Sequence, residues 1–326
     1  MSAKHKLTII IATYKRNELL CECLESLQSC RERGFKDIDV IVADDGGHDT
    51  AKAKSIADPS YVRFLDIENN VGQPAAQAQA VTMSVSELIA FLDDDATTEF
   101  DWAGEIVSYF DKFPKIGAVL GRIEPKDTSK LLARTRQVIY DKRRRKYTSR
   151  EFMEKISQQY GFELFSGCTG LSDHVSGGSF AIRRSVYDAV GGLPKDVRMG
   201  CDTLFSETLL KSGFIIGYDE DMVIRHRHST SYRILCKNSF KEGRDWVRIE
   251  QKKGRRKPAM FFPCLLNLLL SPFKIVTFPE MLQADRLRIP GYLVFTLIQY
   301  VDGAGRIYQL FSKKDSRPPG TEHHKN

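Results

Sequence analysis

The sequence predicts an α/β protein with a mostly parallel sheet flanked by helices and a helical extension at its C-terminal end. Three observations carry this. Four short runs rich in Ile, Val and Leu, at Leu7–Ala12, Ile38–Ala43, Val62–Leu65 and Leu88–Leu92, read as strands, and the first and last are continuously apolar, as strands buried on both faces are. The stretches between them are long enough for the crossovers that parallel neighbours require. Each run also ends in polar residues or glycine, and ligands of open α/β sheets gather at those carboxyl ends.

The first run stops at Thr13-Tyr14-Lys15-Arg16-Asn17. Leu19, Leu20, Cys23, Leu24 and Leu27 then recur at helical spacing, with Asn17 as a candidate cap. The second run exits into Asp44-Asp45-Gly46-Gly47 and the third into Glu68-Asn69-Asn70-Val71-Gly72. A helical stretch from Pro74 to Glu87 leads into the fourth, which runs straight into Asp93-Asp94-Asp95. Three adjacent carboxylates repel one another unless a cation or a set of donors compensates, and hard oxygen ligands suit Mg²⁺ or Mn²⁺. The competing reading is a solvated turn whose Asp caps a helix near Trp102. Tyr14 is placed either to stack on a base or as a half-buried aromatic, and Asp45 could accept a hydrogen bond from a base N–H. Neither G-x-G-x-x-G after the first strand nor a phosphate-cradling loop ending in Lys-Ser or Lys-Thr is present, which argues against the usual dinucleotide and P-loop sites.

At 326 residues there is room for a large α/β domain and an appendage. Forty-nine Lys and Arg against 42 Asp and Glu give a net charge of +7. The excess is clustered at Arg143-Arg144-Arg145-Lys146, Lys252-Lys253 with Arg255-Arg256-Lys257, and Lys313-Lys314. Such runs form a solvated face or meet an anionic lipid surface, and no nucleic-acid partner is expected. Seven cysteines without metal spacing, and no secretory signal, lead to the expectation of reduced thiols in a cytoplasmic setting.

Beyond His228 the composition changes. Tyr232 to Arg248 reads as a basic amphipathic helix, with Lys237, Lys241, Arg244 and Arg248 near one stripe. Ala259 to Phe273 and Ile289 to Val301 carry no charge but are shorter than the roughly 20 residues of a spanning helix. They read as interfacial helices on the cytoplasmic face of an anionic membrane, or as a helical cap packed on the α/β domain. Ser316 onward reads as a disordered tail.

In order, Ile-Ile-Ala-Thr-Tyr-Lys-Arg, Val-Ala-Asp-Asp-Gly-Gly-His-Asp-Thr, Asn-Asn-Val-Gly and Phe-Leu-Asp-Asp-Asp-Ala resemble the strand-end motifs of the family 2 glycosyltransferases, which have the Rossmann-like GT-A fold. The likeness continues through Trp102, Gly177-Gly178 before Ile182-Arg183-Arg184, Val190-Gly191-Gly192-Leu193, and Gly200-Cys201-Asp202 to Gly213, covering roughly residues 7 to 245. The resemblance implies that Thr13, Tyr14 and Arg16 border the nucleobase, with Asp45 binding it, most often as uracil. It puts Asp94 at the ribose, with Asp93 as the first acid of the D-x-D-type motif and Asp95 as its metal ligand. Asp202 matches the base that deprotonates the acceptor hydroxyl, and His226 the downstream His that can complete the metal site. Gly177 and Gly178 border the nucleotide sugar.

Three departures bear on these roles. Gly47 stands where Ser is common, Gln77-Ala78 replaces a frequent Arg-Asn and removes a cation from near the diphosphate, and Cys201 replaces an acid beside Asp202. Cys201 is a reactive thiol or a space-filler, and His226, sharing a face with His228 on an extended segment, is a ligand or a structural residue. The expected organisation is a catalytic domain over 1–228, divided into a nucleotide-sugar part (1–121) and an acceptor part (122–228), then interfacial helices (229–315) and a tail (316–326). The expected function is metal-dependent, inverting transfer of a sugar from a nucleotide-diphosphate donor, UDP-linked by the resemblance, to a saccharide or lipid-linked acceptor in polysaccharide or glycolipid assembly. The alternative is a non-catalytic sugar-nucleotide or membrane-surface binding protein that keeps the fold.

Overall fold

The computed structural model describes residues 5–99, 101–176, 178–197, 200–227, 231–270 and 288–312. The chain forms two compact units, Met1–Glu124 with Arg144–His226 and Pro125–Arg143 with Arg227–Arg317.

The first unit holds an eight-stranded sheet in the order β3-β2-β1-β4-β7-β6-β8-β5. Its strands are β1 (Leu7–Thr13), β2 (Ile38–Asp45), β3 (Val62–Ile67), β4 (Leu88–Asp93), β5 (Ala96–Thr98), β6 (Ile116–Pro125), β7 (Ser179–Arg183) and β8 (Ile215–His226). The strands β3, β2, β1 and β4 are parallel. β7 joins β4 antiparallel, so the sheet is mixed beyond its parallel half. The lack of alternation in β1 has the expected cause. Ile9 and Ile11 pack into the core on one face, with helices α1 (Asn17–Arg33) and α4 (Trp102–Lys112), while Ile10 and Ala12 pack into the other, with α3 (Gln73–Val81) and α8 (Cys201–Lys211). Successive side chains of a strand point to opposite faces, so both registers must be apolar. At the β4–β7 seam, Phe91 lies opposite Phe180 and their rings stack 4.6 Å apart, a cross-strand pair that pins the register.

Three local expectations are corrected. Asn17 does not cap α1. Its Oδ1 instead accepts from the Ala53 amide, holding the short helix α2 (Ala51–Ile56) against α1. The helix read from Pro74 to Glu87 stops at Val81, because Ser84 and Ser86 are taken into a buried hydroxyl cluster with Thr8, which Arg184 closes. The acidic run does not cap the helix at Trp102, since β5 intervenes and the N-cap residue is Asp101, whose carboxylate accepts from Phe35 N.

The rest of the first unit comprises α6 (Arg150–Tyr160), α7 (Arg184–Ala189) and the end of α5 (Leu131–Thr148). The second unit contains the start of α5 together with α9 (Tyr232–Lys252), α10 (Lys257–Leu269) and α11 (Arg288–Phe311). α9 is capped by Ser231, whose hydroxyl accepts from Ile234 N. Val247, Met260, Cys264 and Leu310 form its small core. α9 and α11 touch backbone to backbone: a Cβ on Gly243 would lie 2.0 Å from the Asp302 carbonyl oxygen, and one on Gly305 2.2 Å from that of Phe240. The basic stripe of α9 is only partly solvated, because Arg244 donates to Gln309 and Arg248 pairs with Asp245. Among the described residues no helix is long and apolar enough to cross a membrane. His228, residues 271–287 and the whole tail from 313 lie outside the described residues, and with them the end of the expected 259–273 helix and the expected 316–326 tail.

Candidate active site

The site forms where β1, β4 and β8 end and β5 begins. Strand β4 delivers Asp93, and β5 pairs antiparallel with β8 so that Ala96 lies opposite His226. That register returns a residue 131 positions downstream to the acidic run. His226 Nε2 lies 3.1 Å from Asp93 Oδ2 and 3.0 Å from Asp95 Oδ1. Burial works against a charged ring, yet the hydrogen bonds and charges of Asp93 and Asp95 outweigh it and raise His226 to about 10.

Asp94 faces the other way and is 4% exposed. It accepts from the Thr13 hydroxyl at 2.7 Å and from Arg16 Nη1 at 3.0 Å, and the same Arg16 nitrogen reaches Asp95 Oδ2 at 3.2 Å. Burial lifts Asp94 to about 6, against the opposing pull of Arg16 and Thr13. The repulsion inherent in three consecutive acids is thus compensated from two sides, by a guanidinium from the start of α1 and an imidazole from the end of β8.

Two close neighbours shape Asp93. Gln73 Nε2, at the first position of α3, donates to its Oδ1 at 2.7 Å. Gly178 accepts from the Asp93 amide, and a Cβ there would sit 2.5 Å from Asp93 Oδ2. Gly177 lies outside the described residues. Tyr14 is half-buried, with the Lys15 ammonium 5.4 Å from its ring centre.

Asp45 occupies the next loop and is committed to the chain itself. It accepts from Asn70 Nδ2 (2.9 Å), Val71 N (2.7 Å) and Gly72 N (2.9 Å), at 3% exposure. Asp44 likewise closes its own turn through Gly47 N and His48 N. In the helix where the family commonly has Arg-Asn, Gln77 is buried with its amide nitrogen unpaired among the described residues.

Asp202 is the second residue of α8, two places after the N-cap Gly200, where the helix dipole favours an ionised carboxylate. Its Oδ1 accepts from Thr203 N at 2.9 Å, and its Oδ2 lies 3.3 Å from His174 Nε2. Burial first, and then the charge of Asp202, push the neighbouring Cys201 thiol up to about 12, with Asp93 contributing. A thiol held that high stays protonated, which favours the space-filling reading of Cys201 over the reactive one.

The fold thus gathers Thr13, Arg16, Asp93, Asp94, Asp95, Gly178 and His226 at one place, with Asp45 in an adjoining loop and Asp202 on α8. Sequence reasoning passed over Gln73 and His174. Gln73 immediately follows the Asn-Asn-Val-Gly exit and was within reach of that argument; nothing in the residues around His174 distinguishes it.

Asp93, Asp95 and His226 each offer one ligand atom, and these atoms lie within 4.8 Å of one another. Two carboxylates and an imidazole make a donor set that suits Mn²⁺ and Mg²⁺. Asp93 belongs to this cluster alongside the two ligands expected from the sequence.

A mixed sheet flanked by helices, with an acidic run at its strand ends and a histidine returned to it by an antiparallel strand, is of the GT-A class. The chain belongs to glycosyl transferase family 2, whose pattern matches residues 8–191. It is 25% identical over 243 residues to the O-antigen chain rhamnosyltransferase RfbN of Salmonella typhimurium, covering 73% of this chain and 71% of that protein. It is 25% identical over 225 residues to an N-acetylglucosaminyltransferase of Azorhizobium caulinodans, covering 68% and 54% respectively. A solved structure with the same fold is the mannosyltransferase PcManGT from Pyrobaculum calidifontis in complex with GDP-Man and Mn²⁺, at TM-score 0.60 and 18% identity, over 95% of this chain and 88% of that one.

Proposed function

We propose that this glycosyltransferase is metal-dependent and inverting, and moves a sugar from a nucleotide-diphosphate donor, UDP-linked by family resemblance, to a hydroxyl of a saccharide or lipid-linked acceptor. The observation that carries the reading is the convergence of Asp93, Asp95 and His226 beside an Asp94 already held by Thr13 and Arg16.

Asp93, Asp95 and His226 would hold Mn²⁺ or Mg²⁺, which supplies positive charge against the diphosphate as it leaves. Asp94, fixed by two donors, presents a set carboxylate edge to the ribose hydroxyls. Thr13 and Tyr14, at the end of β1, border the base, and Gly178 keeps Asp93 free of a competing side chain. Asp202 accepts the proton of the acceptor hydroxyl as its oxygen bonds to the anomeric carbon on the face opposite the departing phosphate, which inverts the centre.

Attachment to an anionic membrane on its cytoplasmic face is part of the proposal. The second unit exposes Phe262, Leu269, Leu293 and Phe311, each at 59% or more, and Lys252, Lys253, Arg255 and Arg256 are exposed between α9 and α10. Apolar side chains beside cations suit an interfacial surface.

The test is release of nucleoside diphosphate from a panel of nucleotide sugars with Mn²⁺ and candidate acceptors. Acceptor-dependent release by the wild type, lost by orders of magnitude in Asp202→Asn with donor affinity retained, is the expected result. Donor binding without release from any member of the panel would instead support the non-catalytic reading.

A further inference from the structure

We infer that His174 is a positioning residue for the acceptor-activating carboxylate, donating from Nε2 to Asp202 and fixing the oxygen that takes the acceptor proton. The inference rests on Asp202 being the base.

His174 lies in the loop before β7, and several contacts lock it against the same helix that carries Asp202. Its own amide donates to Ser172 Oγ at 3.0 Å, and the Ser172 hydroxyl donates back to the His174 carbonyl at 2.6 Å. Ser172 is fully buried, so this two-bond clip is shielded from water. The next amide, Val175 N, donates to Ser206 Oγ at 2.8 Å. Ser206 stands four residues after Asp202 on α8, hence on the same helix face, and its hydroxyl donates to the Asp202 carbonyl at 2.5 Å. Ser206 also faces His174 Nδ1 at 3.4 Å.

One serine therefore ties the loop to the first turn of α8, through the Val175 amide and the Asp202 carbonyl. Nε2 is left facing Asp202 Oδ2 at 3.3 Å. Toward an ionised carboxylate that nitrogen donates, and the contact shortens when the carboxylate is drawn into the reacting geometry.

Two neighbouring acids each have a lysine partner. Asp173 pairs with Lys146 at 2.7 Å and Glu207 with Lys211 at 3.6 Å. Asp202 Oδ1 is held by Thr203 N and Oδ2 by His174, so two donors from different segments set the plane of the carboxylate. A base held within a small angular range loses little rate to misorientation. One tethered only through its own helix turn samples unproductive rotamers.

The experiment compares full-length His174→Ala and His174→Gln with wild type, reading kcat and KM for donor and acceptor together with thermal midpoint. The glutamine amide can reach Asp202 and donate, as the imidazole does. The expected result is a fall in kcat of roughly 10- to 100-fold in the Ala variant with donor KM unchanged, and recovery of most of that loss by Gln. On an Asp202→Asn background, His174→Ala should add no further loss, since the two act as one unit. If the Ala variant does not fold, His174→Asn, whose amide is too short to reach, takes its place against Gln.

Three results would overturn the inference: wild-type kcat in the Ala variant, no advantage of Gln over Ala, or a loss as deep as that of Asp202→Asn, which would make His174 itself the base. Near-normal transfer by Asp202→Asn is a separate failure, that of the base assignment beneath.

Discussion

Asp45 offers the sharpest separation between anchoring a loop and reading a nucleotide. Its carboxylate gathers Asn70 Nδ2, Val71 N and Gly72 N. The next residue, Gln73, begins α3 and donates to Asp93. Replacing Asp45 with Ala strands the Val71 and Gly72 amides, each costing about 1–3 kcal/mol if left dry, while Asn70 Nδ2 keeps its second bond, to the residue-45 carbonyl. Val71 is half-buried, so water can recover part of its loss, whereas Gly72 is buried. The sum comes to about 3 kcal/mol, and at roughly 2–4 °C per kcal/mol for a domain of this size the thermal midpoint should fall by about 6–12 °C. Asn70→Ala, which removes a single half-buried donor, should cost about 1 kcal/mol. The assay is thermal and urea unfolding of both variants, with nucleotide affinity measured on the same preparations. An unchanged midpoint in Asp45→Ala with nucleotide binding abolished would refute the anchoring argument and leave Asp45 as a reader of the base.

Two further outcomes follow from the structure. Gly178→Ala places a Cβ 2.5 Å from Asp93 Oδ2, so the carboxylate must swing away; Mn²⁺ affinity by calorimetry should fall about 10-fold, and an unchanged affinity would remove Asp93 from the ligand set. Phe262→Glu with Leu269→Glu, at side chains 69% and 60% exposed, should abolish sedimentation with anionic liposomes, and high salt should weaken wild-type binding. Equal sedimentation of the double variant would show that α10 does not meet the lipid.

The parallel half of the sheet was legible because burial on both faces forces apolar residues into both registers of β1, β2 and β4, a pattern that needs no tertiary information. The acidic site was legible for a related reason, since three adjacent carboxylates at a strand end demand compensation. The identity of the compensating groups was less so. Arg16, read from the resemblance as a neighbour of the base, also bridges Asp94 and Asp95, a pairing that depends on the docking of α1 beside the end of β4. Asn17 carried a cap signature, but the amide it satisfies belongs to another helix. Capping residues are recognised by type, and type does not say which donor is nearest. His174 escaped because its role depends on a serine 32 positions later, on a helix whose docking only the fold determines. The second unit was legible as amphipathic helices. The backbone contact that Gly243 and Gly305 permit between α9 and α11 depends on pairing two segments distant in sequence.

Asp93, Asp95 and His226 are proposed to form a divalent-metal site at which a nucleotide diphosphate is held. This is tested most directly by nucleoside-diphosphate binding to wild type and Asp95→Ala, each with and without Mn²⁺. Asp95 is mostly buried and contacts both Arg16 and His226, yet it sits at a strand exit outside the apolar core, so the variant should stay folded with an unaltered circular dichroism spectrum. Wild type should bind at least about 10-fold more tightly with Mn²⁺, and Asp95→Ala should bind with the same weak affinity whether or not Mn²⁺ is present. A folded Asp95→Ala protein that retains the full Mn²⁺ enhancement would contradict the account.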